Sequence, residues 1–161
     1  MTLHSGTAYS DGNVRIGSPD IAILRRAPKT SDAVEAVDRW LAEALVRDDI
    51  YYFSIYYGQR LVGQIFLHDM DLATGESLVG YHLFEPNLRG RGVGTKALRL
   101  LQQFVVEATT LERLVIITSR DNIASRAIAG NCGFTFAGAP REDSVNGIVL
   151  EWRAPRAGAD S

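Results

Sequence analysis

The feature that most constrains the fold of this chain is a glycine-rich, basic loop at residues 87–95, which reads Asn-Leu-Arg-Gly-Arg-Gly-Val-Gly-Thr. It lies between a strand-like run at residues 77–84 and a run whose apolar residues repeat at helical spacing from Val93 onward. The three glycines remove side chains where a ligand would approach the backbone, and a helix N-terminus directs unpaired N–H groups and a positive dipole end at an anion. The pattern predicts a strand, a turn and a helix that together bind phosphate.

Length and composition favour one globular domain. The 161 residues allow a single sizeable core. No apolar run approaches the roughly 18 to 20 residues that cross a bilayer, and the start of the chain lacks a basic segment followed by an apolar stretch. We therefore expect a cytoplasmic protein with no membrane partner. A net charge of −2 argues against general nucleic-acid binding.

Cys132 is the single cysteine of the chain. It excludes an internal disulfide and a thiolate metal cluster within one chain, and we expect no metal. A free cysteine is usually a small buried residue, which is the interpretation that we favour, although a catalytic thiol is left open.

The order of the predicted elements divides the chain into a polar N-terminal tail at residues 1–19, a domain at 20–153 and a C-terminal tail at 154–161. Three strands in meander order precede the glycine-rich loop, and the helix after it is followed by alternating strands and a second helix. Strands are predicted at 21–25, 51–57, 61–68, 77–84, 114–118, 134–137 and 147–152, and helices at 32–47, from 93 over about 15 residues, and at 123–131.

Two common nucleotide-binding patterns fit the loop poorly. The Walker pattern requires GxxxxGK[ST], whereas Thr95 precedes Lys96 here and no glycine lies five residues before Gly94. The dinucleotide pattern GxGxxG would begin at Gly90, but Thr95 occupies its third glycine position and the preceding strand belongs to an antiparallel meander.

A third pattern, [RQ]-x-x-G-x-[GA], is filled by Arg89, Gly92 and Gly94. This loop resembles that of the Gcn5-related N-acetyltransferases, the GNAT superfamily. A second motif of that superfamily, N-x-x-S followed by a helix that ends in G-F, is similar to residues 122–134. Together with the Gly-Tyr-His-Leu sequence at 80–83, the chain most resembles the ribosomal-protein N-terminal acetyltransferase type.

The resemblance implies an α/β (α+β) fold: a mixed, mostly antiparallel sheet of six to seven strands with helices on both faces and a splayed parallel pair that admits acetyl-coenzyme A (acetyl-CoA). The implied activity is acetyl-CoA-dependent transfer of an acetyl group from the thioester to a primary amine by direct transfer. The residues that the resemblance assigns to the cofactor are Leu83, Phe84, Arg89, Gly90, Arg91, Gly92, Val93, Gly94, Thr95 and Asn122.

For catalysis, the resemblance points to Ser125 as the group that hydrogen-bonds the leaving sulfur. The family's usual tyrosine donor and one of its glutamate bases fall on Ala129 and Ile117, so neither group is present at its usual position. A base or a water relay is still needed, because an amine with a pKa near 10 is protonated at pH 7. We favour Glu142 as the base; the other candidates are Asp143, Glu76, His82 and Glu85.

The acceptor is expected to be a small-molecule amine or the N-terminal amine of a protein. An acidic group at Asp69, Asp71, Glu76 and Glu85 would suit a cationic amine, or it forms a solvated hairpin tip. The sequence leaves the oligomeric state open, and a homodimer is one of the alternatives. The alternative function is a GNAT-like module that binds acetyl-CoA and acts as a sensor or regulator without turnover.

Overall fold

The computed structural model describes residues 2–3, 8–18, 39, 49–84, 88, 90–140 and 146–156. The strand predicted at 21–25 and the helix predicted at 32–47 lie outside them. The described residues form nine strands of one sheet and two longer helices. In chain order these are β1 (Thr2–Leu3), β2 (Tyr9–Asp11), β3 (Val14–Gly17), β4 (Tyr51–Tyr57), β5 (Arg60–Asp71), β6 (Glu76–Leu83), α1 (Val93–Ala108), β7 (Arg113–Ser119), α2 (Ile123–Asn131), β8 (Thr135–Gly138) and β9 (Gly147–Arg153).

The sheet has the strand order β2-β3-β4-β5-β6-β7-β9-β8, with β1 pairing on β4 in addition. Strands β2 to β6 are antiparallel to their neighbours, as are β7, β9 and β8, while β6 and β7 run parallel, as do β1 and β4. The predicted fold class, a mixed and mostly antiparallel sheet, is confirmed. The sheet has more strands than the six to seven expected, because the segment before residue 20 contributes three.

The centre of the sheet is covered on both faces. Side chains alternate between the two faces of a strand, so Tyr52 and Ser54 lie on one face and Phe53 and Ile55 on the other. All four are fully buried. Helix α1 covers the face that holds Phe53, whose ring meets that of Phe104 edge-on at a centroid distance of 4.9 Å. The apolar stripe of α1 is therefore buried against the sheet, as its helical spacing predicted.

The N-terminal tail prediction is wrong for residues 9–17. These residues form the hairpin of β2 and β3, which pairs on β4, and Val14 and Ile16 are fully buried beneath α1 in the core cluster. An alternation of only two apolar residues with polar ones is too short to stand out in a polar segment.

Residues 154–156, which were predicted to belong to the C-terminal tail, pack against the domain. Ala154 is buried, and the guanidinium of Arg156 donates to the main-chain oxygens of Val105, Val106 and Leu111 at 2.6 to 3.2 Å. Two of these oxygens belong to the last turn of α1, and that of Val105 also accepts from the N–H and the hydroxyl of Thr109. In the described part of the chain, neither helix has the length and apolar character that crossing a membrane requires.

Candidate functional site

The parallel strands β6 and β7 separate along their length. They pair at only three positions, Glu76 with Arg113, Ser77 with Leu114, and Leu78 with Val115. Beyond these positions β6 continues to pair with β5 as far as Leu83, and β7 continues to pair with β9. The two edges that face each other there are not paired with one another, so the predicted splayed pair is confirmed.

The main chain of Leu83 faces this gap, whereas that of Phe84 does not. The N–H of Phe84 donates to the oxygen of Val62 on the other side, at 2.8 Å. Because successive residues of a strand direct their N–H and C=O groups to opposite edges, the polar groups of Leu83 and Tyr81 are directed toward β7. The N–H of Phe84 is therefore used within the sheet, and the assignment of Phe84 to the cofactor stays a prediction.

The glycine-rich loop turns sharply into α1. Gly90 and Gly92 have φ angles of 81° and 77°, which side chains strongly disfavour, and Gly92 is the N-cap of the helix. No side chain caps this N-terminus and its first turn holds no acidic residue. The N–H groups of Val93, Gly94 and Thr95 have no acceptor within the helix and lie at its positive end. Arg91 is exposed beside them, and Arg89 lies outside the described residues.

Asn122 is the N-cap of α2, and its Oδ1 accepts a hydrogen bond of 3.0 Å from the N–H of Ser125. This is the capping role that asparagine fills well. The Nδ2 group of the same side chain can donate to a ligand while Oδ1 caps the helix.

The hydroxyl of Ser125 meets a tyrosine that comes from the sheet. The hydroxyl of Tyr81 lies 2.8 Å from Ser125 Oγ and 3.1 Å from the main-chain oxygen of Ser125. Burial raises the pKa of Tyr81, against the effect of the hydrogen bond with Ser125, so the phenol stays protonated at neutral pH. No local sequence pattern indicates this pair, because its members lie 44 residues apart.

The two motifs meet where α1 and α2 approach each other. A Cβ at Gly94 would lie 2.6 Å from Ile128 Cδ1, so the absence of a side chain permits this approach. A cleft of about 470 Å³ opens beside the contact. It is lined by residues of the β6 end, of the glycine-rich loop and of α2: Leu83, Leu88, Gly90, Gly92, Val93, Gly94, Thr95, Ile123, Ala124, Ala127, Ile128 and Asn131.

Three of the acidic candidates have partners elsewhere. Glu76 pairs with Arg113, which also pairs with Glu151, and Asp71 accepts hydrogen bonds from two main-chain N–H groups of its own turn. Asp69 contacts His68 at 2.7 Å. Glu76 also lies at the opposite end of β6 from Leu83, roughly 23 Å away at the rise of an extended strand. Glu85, Glu142 and Asp143 lie outside the described residues.

Cys132 has the structural role that we favoured. It is buried, its Sγ lies 3.4 Å from the oxygen of Thr95, and burial raises the pKa of the thiol. A thiol held in its protonated form is a poor nucleophile. Among the described residues, no three His, Cys, Asp or Glu side chains gather as metal ligands would.

Comparison with known proteins identifies the family. The family model described as "Acetyltransferase (GNAT) domain" matches residues 14–135, and the chain therefore belongs to the GNAT acetyltransferases. In Bacillus subtilis (strain 168), the protein named "Putative ribosomal N-acetyltransferase YdaF" is 32% identical over 96 residues, which are 59% of this chain and 52% of that protein. The chain thus spans about half the length of this relative.

Two solved structures share the fold. Spermidine N-acetyltransferase from Vibrio cholerae, in complex with CoA and spermine, has a TM-score of 0.72 at 11% identity, over 89% of this chain and 97% of that one. The microcin C7 self-immunity acetyltransferase MccE, in complex with acetyl-CoA and AMP, has a TM-score of 0.68 at 19% identity, over 89% and 93% of the two chains.

Proposed function

We propose that this chain is an acetyl-CoA-dependent N-acetyltransferase that moves an acetyl group directly from the thioester to a primary amine. The observation that carries the proposal is the single cleft at the open end of β6 and β7, which both motifs line. The solved structures that share the fold include complexes with acetyl-CoA and with CoA.

In this proposal the loop binds the pyrophosphate of the cofactor. The amides of Gly90, Gly92, Val93, Gly94 and Thr95 would donate to it, with Arg89 and Arg91 adding positive charge through their side chains. The N–H of Arg91 itself donates to the oxygen of Leu88 at 3.3 Å. The uncapped N-terminus of α1 supports this role, because its amides and its dipole favour an anion. The pantetheine arm would lie in the gap, against the main chain of Leu83 and the Nδ2 group of Asn122.

The chemistry is attack of a neutral amine nitrogen on the acetyl carbon, followed by cleavage of the C–S bond. The amine loses one proton and the departing sulfur needs a hydrogen bond or a proton. We assign the hydrogen bond to Ser125, which lies on α2 beside the cleft. Glu142 or a water molecule is proposed to take the proton of the amine.

The proposed acceptor is the primary amine of a small molecule or of a protein N-terminus. The spermine complex of the Vibrio cholerae enzyme supports the first class, and the name of the Bacillus subtilis relative supports the second. A cytoplasmic location and a homodimer stay predictions.

Two glycine variants test the cofactor site against a matched control. Gly92 and Gly58 both have positive φ angles, 77° and 61°, and a Cβ at either would meet nothing within 4 Å. Gly92→Ala and Gly58→Ala therefore impose similar backbone strain, but only Gly92 lines the cleft. We expect calorimetry to show acetyl-CoA binding at least tenfold weaker for Gly92→Ala and nearly unchanged for Gly58→Ala. Equal affinities in the two variants would remove the loop assignment.

A module that binds acetyl-CoA without turnover is the second candidate. Ala129 and Ile117 favour it, because they occupy positions where the family often has its acid and its base. Thiol release measured over polyamines, aminoglycosides, amino acids and N-terminal peptides separates the two functions. One productive acceptor establishes the enzyme, whereas binding with no release across the panel favours the sensor.

A further inference from the structure

A partly buried phenol crosses from the sheet to α2 at the site proposed for the leaving sulfur. Tyr81 lies on β6, and its main chain borders the gap between the splayed strands. Its ring packs against the hydrophobic core, and its hydroxyl reaches two oxygens of Ser125. The proposed mechanism gives Tyr81 no role.

The phenol has one proton and two oxygen atoms within reach, so two arrangements are available. In the first, Tyr81 donates to the main-chain oxygen of Ser125 and accepts the proton of the Ser125 hydroxyl. In the second, Tyr81 donates to Ser125 Oγ, and the serine proton is free to turn elsewhere. A carbonyl in the first turn of a helix keeps its intrahelical donor from four residues on, so the second arrangement leaves no oxygen without a partner.

We propose that Tyr81 is a positioning residue that switches from the first arrangement to the second when the thioester binds, so that the Ser125 hydroxyl donates to the leaving sulfur. This inference rests on the proposed function, since it concerns the sulfur of CoA. We call the hydroxyls of Tyr81 and Ser125 the hydroxyl pair. In this pair Tyr81 polarises Ser125, and Ser125 contacts the sulfur.

The hydroxyl pair stabilises the thiolate by hydrogen bonding, and the phenolic proton is not transferred. An ordinary thiol has a pKa near 8.5 and an ordinary phenol one near 10. Burial raises the pKa of Tyr81 further, so passing its proton to the thiolate would run uphill. The bond that breaks is C–S, its electron pair stays on sulfur, and the proton that finally neutralises the thiolate is the one lost by the amine, carried through water.

Removing one hydroxyl oxygen at a time tests the role of the hydroxyl pair. Tyr81→Phe keeps the ring and removes the hydroxyl, and Ser125→Ala removes the other one. For each variant we expect kcat for thiol release to fall about tenfold to a hundredfold, as for loss of a hydrogen bond to a charged group. The KM for acetyl-CoA should stay within about twofold. Tyr56→Phe removes a phenol bonded to the oxygen of Ser18, outside the cleft, and should leave kcat unchanged.

The double variant reports whether the two hydroxyls act as one unit. Because Tyr81 acts through Ser125, Tyr81→Phe with Ser125→Ala should be no slower than Ser125→Ala alone. Ser125→Thr keeps a hydroxyl and should restore most of the rate. Losses that multiply in the double variant, or a Tyr81→Phe enzyme as fast as the wild type, would overturn the inference.

Titration of bound CoA gives a readout that needs no acceptor. The thiolate absorbs in the ultraviolet, so its formation can be followed as the pH is raised. On the wild-type protein the hydroxyl pair should lower the pKa of the CoA thiol relative to free CoA. Tyr81→Phe should reverse much of this shift, and Ser125→Ala all of it. If CoA binds with this pattern of pKa shifts but no acceptor gives thiol release, the enzymatic function is contradicted and the role of the hydroxyl pair is supported. If thiol release is equally fast in the wild type and in Tyr81→Phe, the role of the hydroxyl pair is contradicted and the enzymatic function is supported. Failure to bind CoA would contradict both.

Discussion

The two ends of the β6 and β7 pair differ in what their side chains do. At the paired end, Arg113 of β7 contacts Glu76 of β6 and Glu151 of β9, each at 2.5 Å, and ties three strands together. The N–H groups of Glu112 and Arg113 both donate to the oxygen of Gly75 there. At the open end, the described groups that meet between β6 and α2 are the hydroxyls of Tyr81 and Ser125, and glycines of the loop line the cleft beside them.

The difference shows how one pair of strands serves two purposes. Burial lowers the pKa of Arg113, but the hydrogen bonds and charges of Glu151 and Glu76 outweigh burial and raise it, so the guanidinium stays charged between the two carboxylates. At the open end, the described side chains that meet are neutral: the hydroxyl of Tyr81 on β6 bonds to Ser125 on α2. A charged network there would close the gap that the proposed cofactor enters, whereas neutral groups leave it available.

The largest effect is expected from disturbing the contact between α1 and α2 beside the open end. Gly94→Ala places a Cβ against Ile128 Cδ1 and should push α1 and α2 apart, with acetyl-CoA affinity about tenfold lower by calorimetry, or about 1.4 kcal/mol. Alanine is the better helix former, so helix propensity does not explain a loss. Ile128→Val removes Cδ1, and the double variant should recover at least threefold. Unchanged affinity in Gly94→Ala would show that this contact does not shape the site.

A smaller effect, on stability alone, is expected at the paired end. Arg113→Met removes the cation between two partly exposed glutamates, and the free energy of unfolding should fall by about 1 kcal/mol. Chemical denaturation in low salt and in about 1 M salt should show the deficit shrinking, because salt screens the repulsion that remains. Acetyl-CoA affinity should stay within about twofold. A large loss of affinity would mean that the two ends are coupled.

The smallest effect is expected from the cysteine. Cys132 lies beneath the loop, and its thiol contacts the oxygen of Thr95. Cys132→Ala should leave kcat for thiol release within about twofold of the wild type, since a buried, protonated thiol takes no part in direct transfer. Rapid alkylation of this thiol in the native protein, compared with the denatured protein, would contradict the burial on which this expectation rests.

The sequence predicted the elements whose periodicity extends over many residues. Strands β4 to β7 and both described helices follow from long alternating or helical patterns, and the splayed pair follows from the family resemblance. The β2 and β3 hairpin was missed because each strand is three or four residues long. The resemblance assigns Leu83 and Phe84 to the cofactor alike, because spacing along one strand does not reveal which edge an N–H group faces.

The candidate site was predictable where a motif is local in sequence. Residues 90–95 and Asn122 lie within single turns, so their geometry follows from the glycines and from the capping rule. The pairing of Tyr81 with Ser125 depends on how α2 lies over β6, and no local pattern contains that information. The role of Glu142 as the base stays a prediction.

The contact of Arg156 with the end of α1 has a consequence for protein engineering. A truncation or a fused tag that begins directly after Arg153 would remove a cation from the negative pole of the helix whose positive pole faces the cleft. It would also expose three main-chain oxygens that a single side chain now covers. A fusion protein that keeps residues 154–156 and carries its tag beyond them would keep this anchor intact.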